Sequence, residues 1–226
     1  MAAGLKKYDI DPANQDPDGI AETQSPIAGA SVILNGALCD AGTALQFDVS
    51  DGYSSGIGGV RLLFDSSGSI PTATFTITGK DQDGNSVTEV VTGVTTTAVS
   101  TVKYYSQVTS IVVGVATATG LFIGTTAPAE FVTKTIPINR YGGYPAAVAA
   151  SGLLGTCVFN LEQTFDDMRT TTGDSAAWFV VSTAGTTAST DIATLAAANA
   201  TGVRCKFDSY TDGAELQFHV SYNPYR

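Results

Sequence analysis

The sequence predicts an all-β protein, on three observations. The composition is skewed toward Thr, Val, Ala and Gly, which favours β-branched strands joined by small-residue turns. From Ala30 onward, short apolar runs alternate with Gly, Asp and Asn turn signals, a pattern typical of a sandwich or barrel. Residues 73–92 also have the pattern of a complete β-hairpin. We therefore expect two β-sandwich or jelly-roll-like units with an extended N-terminal arm.

The hairpin is the clearest local element. Phe75 and Ile77 alternate with Thr74, Thr76 and Thr78, so one face of the first strand is apolar and the other is threonine. A turn over residues 80–85 and a return strand over residues 86–92 complete it. This pattern predicts a sheet with one buried face.

Residues 1–30 are predicted to be the N-terminal arm. They carry Pro12, Pro17 and Pro26 among polar residues and show almost no apolar periodicity, so they cannot build a core of their own. Two interpretations remain open: a disordered tail, or an extended arm that gains order by lying on a neighbouring subunit. Proline-rich arms lose little entropy when they dock.

A cluster of Pro and Gly between residues 125 and 144 marks the boundary between the two units. It predicts a β domain over residues 31–132 and a second β domain over residues 133–226. In the second domain, residues 203–207 and 215–222 are predicted to form a closing hairpin around Asp212 and Gly213. Residues 190–199 have weak helical spacing and are predicted to form a short helix.

One strand of the second domain is predicted over residues 156–165. Period-two alternation places a set of side chains on its inward face: Cys157, Phe159, Leu161, Gln163 and Phe165. The same alternation sends Asn160 and Glu162 to the opposite face. We therefore expect Glu162 to be a surface residue.

The charge and composition of the chain limit the kinds of molecule that it is expected to bind. Only 14% of residues are charged, and Thr- and Ala-rich surfaces suit burial against other proteins because hiding them costs less than hiding an unpaired charge. The net charge of −10 repels a phosphate backbone, so direct nucleic-acid binding is not expected. The start lacks the apolar core of a signal peptide, and no stretch is long enough to span a membrane. These last two features predict a soluble protein that is not routed through a secretion signal.

The three cysteines, Cys39, Cys157 and Cys205, are far apart in sequence and lack the close pairs of a zinc site or a redox motif. We expect reduced, buried thiols, because free Cys behaves as a small hydrophobe.

Catalytic chemistry has few candidates. His219 is the only histidine, and it shares a strand face with Gln217 and Ser221, so we expect an outward polar residue and no triad. Glu162, Asp166 and Asp167 could supply a glycosidase-type acid pair. We expect solvated strand-end acids instead, in part because Trp178 is the only tryptophan available as a sugar platform.

No metal or cofactor is expected. Asp81, Asp83 and Asn85 with Glu89 resemble part of a calcium loop, but the intervening glycine falls too early for an EF-hand. The same residues are what a tight hairpin turn requires. The glycines at positions 56, 58 and 59 are predicted to form a loop, not a phosphate cradle, because no helix pattern follows.

Several segments are similar to virion structural proteins of tailed bacteriophages. The hairpin over residues 75–93 resembles one that recurs in that group, and so does its continuation at 99–101, 105–111 and 122–125. Residues 162–167 resemble a strand end that follows the same module. Together the matches cover about half of the chain. The resemblance implies a head-decoration, neck or tail component and supplies no catalytic residues.

The sequence therefore predicts a non-enzymatic virion protein that joins or stabilises capsid or neck subunits as a decoration (cement) protein. Its expected partners are the major capsid protein or neck and tail subunits, and other copies of itself. It would be made in the bacterial host cytoplasm and reside in the virion. Two alternatives stay open: a hydrolase using the acids named above, and a carbohydrate- or receptor-binding module, suggested by tyrosines at positions 141, 144, 222 and 225.

Overall fold

The computed structural model describes residues 4–10, 16–40, 44–45, 58–94, 97–115, 119–125, 130–138, 146–184, 191–197, 199–211 and 213–222. Every regular element in these ranges is a strand, which confirms the predicted all-β class. The strands are β1 (Gly4–Ile10), β2 (Asp16–Gln24), β3 (Cys39–Asp40), β4 (Ala44–Leu45), β5 (Gly58–Val60), β6 (Leu63–Ser66), β7 (Ile70–Lys80), β8 (Ser86–Val94), β9 (Val99–Ser100), β10 (Gln107–Val113), β11 (Leu121–Thr125), β12 (Phe131–Thr133), β13 (Ile136–Pro137), β14 (Ala147–Leu154), β15 (Cys157–Thr164), β16 (Trp178–Ala184), β17 (Asp191–Leu195), β18 (Gly202–Tyr210) and β19 (Glu215–Tyr222).

The chain divides into two compact units. One comprises Ala13–Ala129, and the other comprises Glu130–Arg226 together with Met1–Pro12. We call them the 13–129 unit and the 130–226 unit. The sequence placed the boundary at residue 132 and kept the first 30 residues apart from both units.

The N-terminal segment differs most from its predicted form. β1 pairs antiparallel with β19, and β2 pairs antiparallel with β11, so both strands belong to sheets of their own chain. Ile10, Ile20 and Ala21 are almost completely buried. These three residues therefore contribute to the cores of the two units, although the segment has almost no apolar periodicity.

The 13–129 unit contains a sheet with strand order β10-β7-β8 and a second with order β2-β11-β6-β9. β7 and β8 form the predicted hairpin, with Phe75 opposite Val91 and Thr78 opposite Thr88, which confirms the two predicted strands and the turn between them. The apolar faces of the two sheets supply the core. Its largest fully buried side chains are Tyr105, Phe64, Phe75, Ile20, Leu62, Ile77 and Ile111.

The 130–226 unit also has two sheets. One has the order β1-β19-β14-β17; in the other, β16, β15, β18 and β12 lie side by side, and β13 also pairs with β18. Phe207 lies between Phe131 and Phe159, with ring centroids 5.5 and 6.0 Å away. Two sheets that each bury one face make a β-sandwich-like arrangement.

Three local predictions are wrong. The segment predicted as a helix contains β17, which pairs with β14; tertiary pairing overrides a weak helical spacing. The predicted closing hairpin does not form, because β18 pairs with β15 whereas β19 pairs with β14 and β1. Its turn, with Gly213 at φ 70°, carries the chain from one sheet to the other. Gly58 and Gly59 belong to β5, not to a loop.

Candidate functional site

The outward face of the β10-β7-β8 sheet is a continuous surface of hydroxyl and methyl groups. We call it the threonine face. It comprises Thr74, Thr76, Thr78, Thr88, Val90, Thr92, Ser110 and Val112, which are half-buried or exposed.

The register of the sheet brings these side chains together. Thr76 lies opposite both Val90 and Val112, and Thr78 lies opposite both Thr88 and Ser110. The intervening residues of β7 face the core. None of the eight side chains is charged, and Lys80 bounds the surface at the hairpin tip.

Glu89 is the charged residue of β8, and its carboxylate is held by a neighbouring segment. The N–H groups of Val102 and Lys103 donate to its two oxygens at 2.7 and 3.1 Å. The hydroxyl of the fully buried Tyr105 donates to the same carboxylate at 3.4 Å. These contacts keep the negative charge away from the threonine face, since Glu89 lies opposite Ile77 on the core side.

The tip of the hairpin is organised by Asp81, which is 2% exposed. Its Oδ1 accepts hydrogen bonds from the N–H groups of Asp83 and Asn85 at 2.9 and 2.8 Å, and Gly84 has a φ of 87°. The side chain of Asn85 also donates to this carboxylate. N–H donors therefore contact both oxygens of the Asp81 carboxylate, and Glu89 is hydrogen-bonded to Val102 and Lys103 instead. The arrangement is an Asx-type turn.

Glu162 is buried, which contradicts its predicted surface position. Its carboxylate accepts a 2.7 Å hydrogen bond from Nε of Arg204, and both side chains are 9% exposed. The Arg204 guanidinium lies 4.0 Å from the centroid of the Trp178 ring, in cation–π geometry. The carbonyl of Gly173 accepts from Trp178 Nε1 at 2.8 Å and from Arg204 at 3.4 Å. We call these four residues the Glu162 cluster.

The other two candidate acids also have structural partners. Asp166 accepts a hydrogen bond from the N–H of Ala177 at 2.6 Å and so closes the loop between β15 and β16. Asp167 forms a two-point ion pair with Arg169 at 2.9 and 2.7 Å. The three acids thus take part in a buried ion pair, a loop closure and a surface ion pair.

His219 lies on β19 opposite Lys7 and Ala149, on the half-exposed side that also carries Gln217 and Ser221. The alternating residues Phe218 and Val220 are fully buried.

None of the three cysteines forms a disulfide bond. Burial raises the pKa of Cys157, and burial together with the proximity of Cys157 raises the pKa of Cys205 well above its usual value. Both thiols therefore stay protonated and unreactive at neutral pH.

An exposed apolar patch lies at one end of the β16-β15 pair. Phe165 and Phe179 are 44% and 52% exposed, and their ring centroids are 5.7 Å apart. The sequence predicted Phe165 on the inward face; it lies just beyond the end of β15, where the core no longer covers it. Val180, which follows Phe179 on β16, is also 56% exposed, but strand alternation directs its side chain to the opposite face. Alternation alone could not reveal this patch, because it depends on where the opposing layer ends.

Within the described ranges, no group of three or more His, Cys, Asp or Glu side chains is placed to hold a metal ion. No helix among these residues is both long and apolar enough to cross a membrane.

Comparison with protein-family models gives no match, and neither does comparison with curated proteins. Among solved structures, the chain is similar to the N-terminal CBM22-1–CBM22-2 tandem domain of Paenibacillus barcinonensis Xyn10C, with 12% identity over 97% of this chain and 94% of that one, at a TM-score of 0.25. It is also similar to the major capsid protein P2 of bacteriophage PM2, with 11% identity over 96% of this chain and 97% of that one, at a TM-score of 0.22. Both TM-scores are too low to support an argument about function.

Proposed function

We propose that this chain is a non-enzymatic structural protein of a tailed-phage particle, which joins or stabilises capsid or neck subunits as a decoration protein. The observation that carries the proposal is the threonine face. It is a regular three-stranded surface without charge on a chain whose net charge is −10. The sequence resemblance of residues 75–93 to phage virion proteins covers the same hairpin.

The physical argument concerns desolvation. Burying a charged side chain without a partner costs several kcal/mol, whereas a threonine can bury its methyl group and satisfy its hydroxyl with one hydrogen bond. A surface such as Thr76, Thr78 and Val90 can therefore be covered by another subunit at small cost. A face that met only water would gain nothing from excluding charge.

The positions of the acids support the non-enzymatic part of the proposal. Glu162 is neutralised by Arg204, and Asp166 and Asp167 stabilise the loop after β15. Each acid has a structural role that explains its presence without catalysis.

Co-sedimentation with phage particles assembled without this chain tests the proposal. We expect the wild-type chain to bind, and Thr76→Lys at the centre of the threonine face to weaken binding by at least about tenfold, because it buries an unpaired charge. The matched control is Thr23→Lys, at an exposed position of β2. Failure of the wild-type chain to bind, or equal binding by the two variants, would contradict the proposal.

A second candidate function is carbohydrate or receptor binding, and the exposed Phe165–Phe179 pair favours it. Exposed aromatic rings can stack against the apolar face of a sugar. Glycan-array binding by the wild-type chain, lost in Phe179→Ala and retained in Thr76→Lys, would establish this function. Absence of glycan binding together with particle binding would leave the structural role.

A further inference from the structure

The two edges of the β10-β7-β8 sheet differ. The β10 edge is covered by the chain itself: Gly29 N–H donates to Val113 O at 2.7 Å, and Val32 N–H donates to Ile111 O at 2.8 Å. In return, Val113 N–H donates to Ala30 O at 2.9 Å. Within the part of the chain that the structure describes, the backbone of β8 has no strand partner other than β7.

Over residues 86–92, β8 also lacks the usual features that protect an edge strand. Proteins commonly block such edges with proline, lysine or a bulge, because unpaired N–H and C=O groups attract another strand. Ser86–Val94 contains neither proline nor lysine. Its register with β7 is regular over residues 86–92 and shifts only beyond them, between Ile70 and Thr74 of β7. Residues 86–92 therefore form a regular strand that can accept a partner.

The outward side chains of β8 match a second copy of the same strand. They follow the order Ser86, Thr88, Val90, Thr92, and the last three are symmetric about Val90. In an antiparallel pair with a two-fold axis at Val90, each Thr88 would face Thr92 of the second copy, and the two Val90 side chains would meet. Val90 is 58% exposed, so it has apolar surface to bury.

Charge also bears on where a second copy could bind. Two chains with a net charge of −10 repel each other, and the repulsion is weakest where neither presents a carboxylate at the contact. On β8, Glu89 lies on the core side and is engaged by Val102 and Lys103, whereas the outward residues carry no charge. The strand thus offers an uncharged, self-complementary contact.

We infer that two copies of this chain pair edge to edge through β8, antiparallel about a two-fold axis at Val90, and so join their β10-β7-β8 sheets into one continuous sheet. The inference rests on the proposed structural role and identifies a second copy of the chain as the partner of the β8 edge. Main-chain hydrogen bonds supply affinity, and the Thr88-Val90-Thr92 row sets the register.

Sedimentation velocity on the full chain tests this pairing with two matched variants. Val90 and Val112 both lie opposite Thr76, on the free and the covered edge respectively. Val90→Lys should weaken self-association by at least about tenfold, because it places two like charges opposite each other at the axis. Val112→Lys should change it by less than about threefold, because it lies two strands away from the axis.

A mixing experiment separates loss of pairing from loss of folding. Val90→Lys and Val90→Glu should each be monomeric alone and should form a heterodimer when mixed, because opposite charges then meet at the axis. A misfolded variant could not be rescued in this way. Rescue supports the inference.

A wild-type chain that stays monomeric would overturn the inference, as would Val90→Lys associating as well as Val112→Lys, or variants that do not form a heterodimer. If the monomeric chain still bound particles, the edge pairing would be rejected and the proposed function would stand. If the chain dimerised as inferred but bound no particle, the edge pairing would stand and the proposed function would be rejected.

Discussion

β7 and β15 have the same period-two sequence pattern but different surroundings. In β7, Phe75 and Ile77 are fully buried and the threonines between them remain accessible. In β15, Phe159 and Leu161 are 1% exposed, yet Asn160 and Glu162 are also buried, at 9% and 8%.

The loop after β15 explains the difference. Gly173 in this loop accepts hydrogen bonds from Trp178 and Arg204, so the loop closes over the polar face of the sheet. Asn160 finds a partner in Asp208 at 2.6 Å. A period-two pattern therefore shows which residues share a face, but not whether the second face meets water.

The largest expected loss of stability follows from substitutions on the apolar faces of β7 and β15. Phe159→Ala should lower the free energy of unfolding by about 3–5 kcal/mol, because the cavity between Phe159 and Phe207 cannot fully collapse. Phe75→Ala in β7 should cost a similar amount, since Phe75 packs against Phe64 with ring centroids 5.1 Å apart. Chemical denaturation measures both; a loss below about 1 kcal/mol would show that the core is loosely packed.

Substitutions on the polar face of β15 should cause the next largest loss of stability. Glu162→Gln should lower stability by about 2–3 kcal/mol, because it leaves the buried Arg204 charge uncompensated. Asp167→Asn is the control: its partner Arg169 is 72% exposed, and the loss should be under about 0.5 kcal/mol. Equal small losses would mean that water reaches Glu162 and that the loop does not cover this face.

A smaller effect is expected at the hairpin tip. Asp81→Ala removes the acceptor of the Asp83 and Asn85 N–H groups and should cost about 1–2 kcal/mol. Asp81→Ala combined with Asp83→Ala should leave calorimetric calcium titrations unchanged, since the carboxylate serves the turn. A stoichiometric calcium signal that the double substitution abolishes would show a metal site there.

The smallest effect concerns thiol reactivity. Because burial raises the pKa of Cys157 and Cys205, both should react with a thiol reagent at pH 8 far more slowly in the folded chain than in denaturant. The half-buried Cys39 should react first. Rapid labelling of all three in the folded chain would indicate that the 130–226 unit opens readily.

Much of the 13–129 unit could be predicted from sequence because its signals are local. The Asp81–Asn85 turn and the alternation of Phe75 and Ile77 require only neighbouring residues. The Glu162–Arg204 pair could not be predicted, because the two residues are 42 positions apart. An alternating pattern in one strand does not indicate which basic residue of a neighbouring strand will lie beside Glu162.

The N-terminal strands were missed for a similar reason. β1 gains its structure from β19, more than 200 residues later. Its own sequence carries little apolar periodicity.

The central claim is that this chain assembles through the uncharged threonine face and through the edge of β8, which pairs only with β7 among the described residues. A cryo-EM map of an intact particle purified from the source of this sequence tests the claim most directly. The account predicts density for the chain with Thr76 and Thr78 covered by another subunit and Val90 close to a second copy of β8. A particle without this chain, or one in which the threonine face meets only solvent, would contradict it.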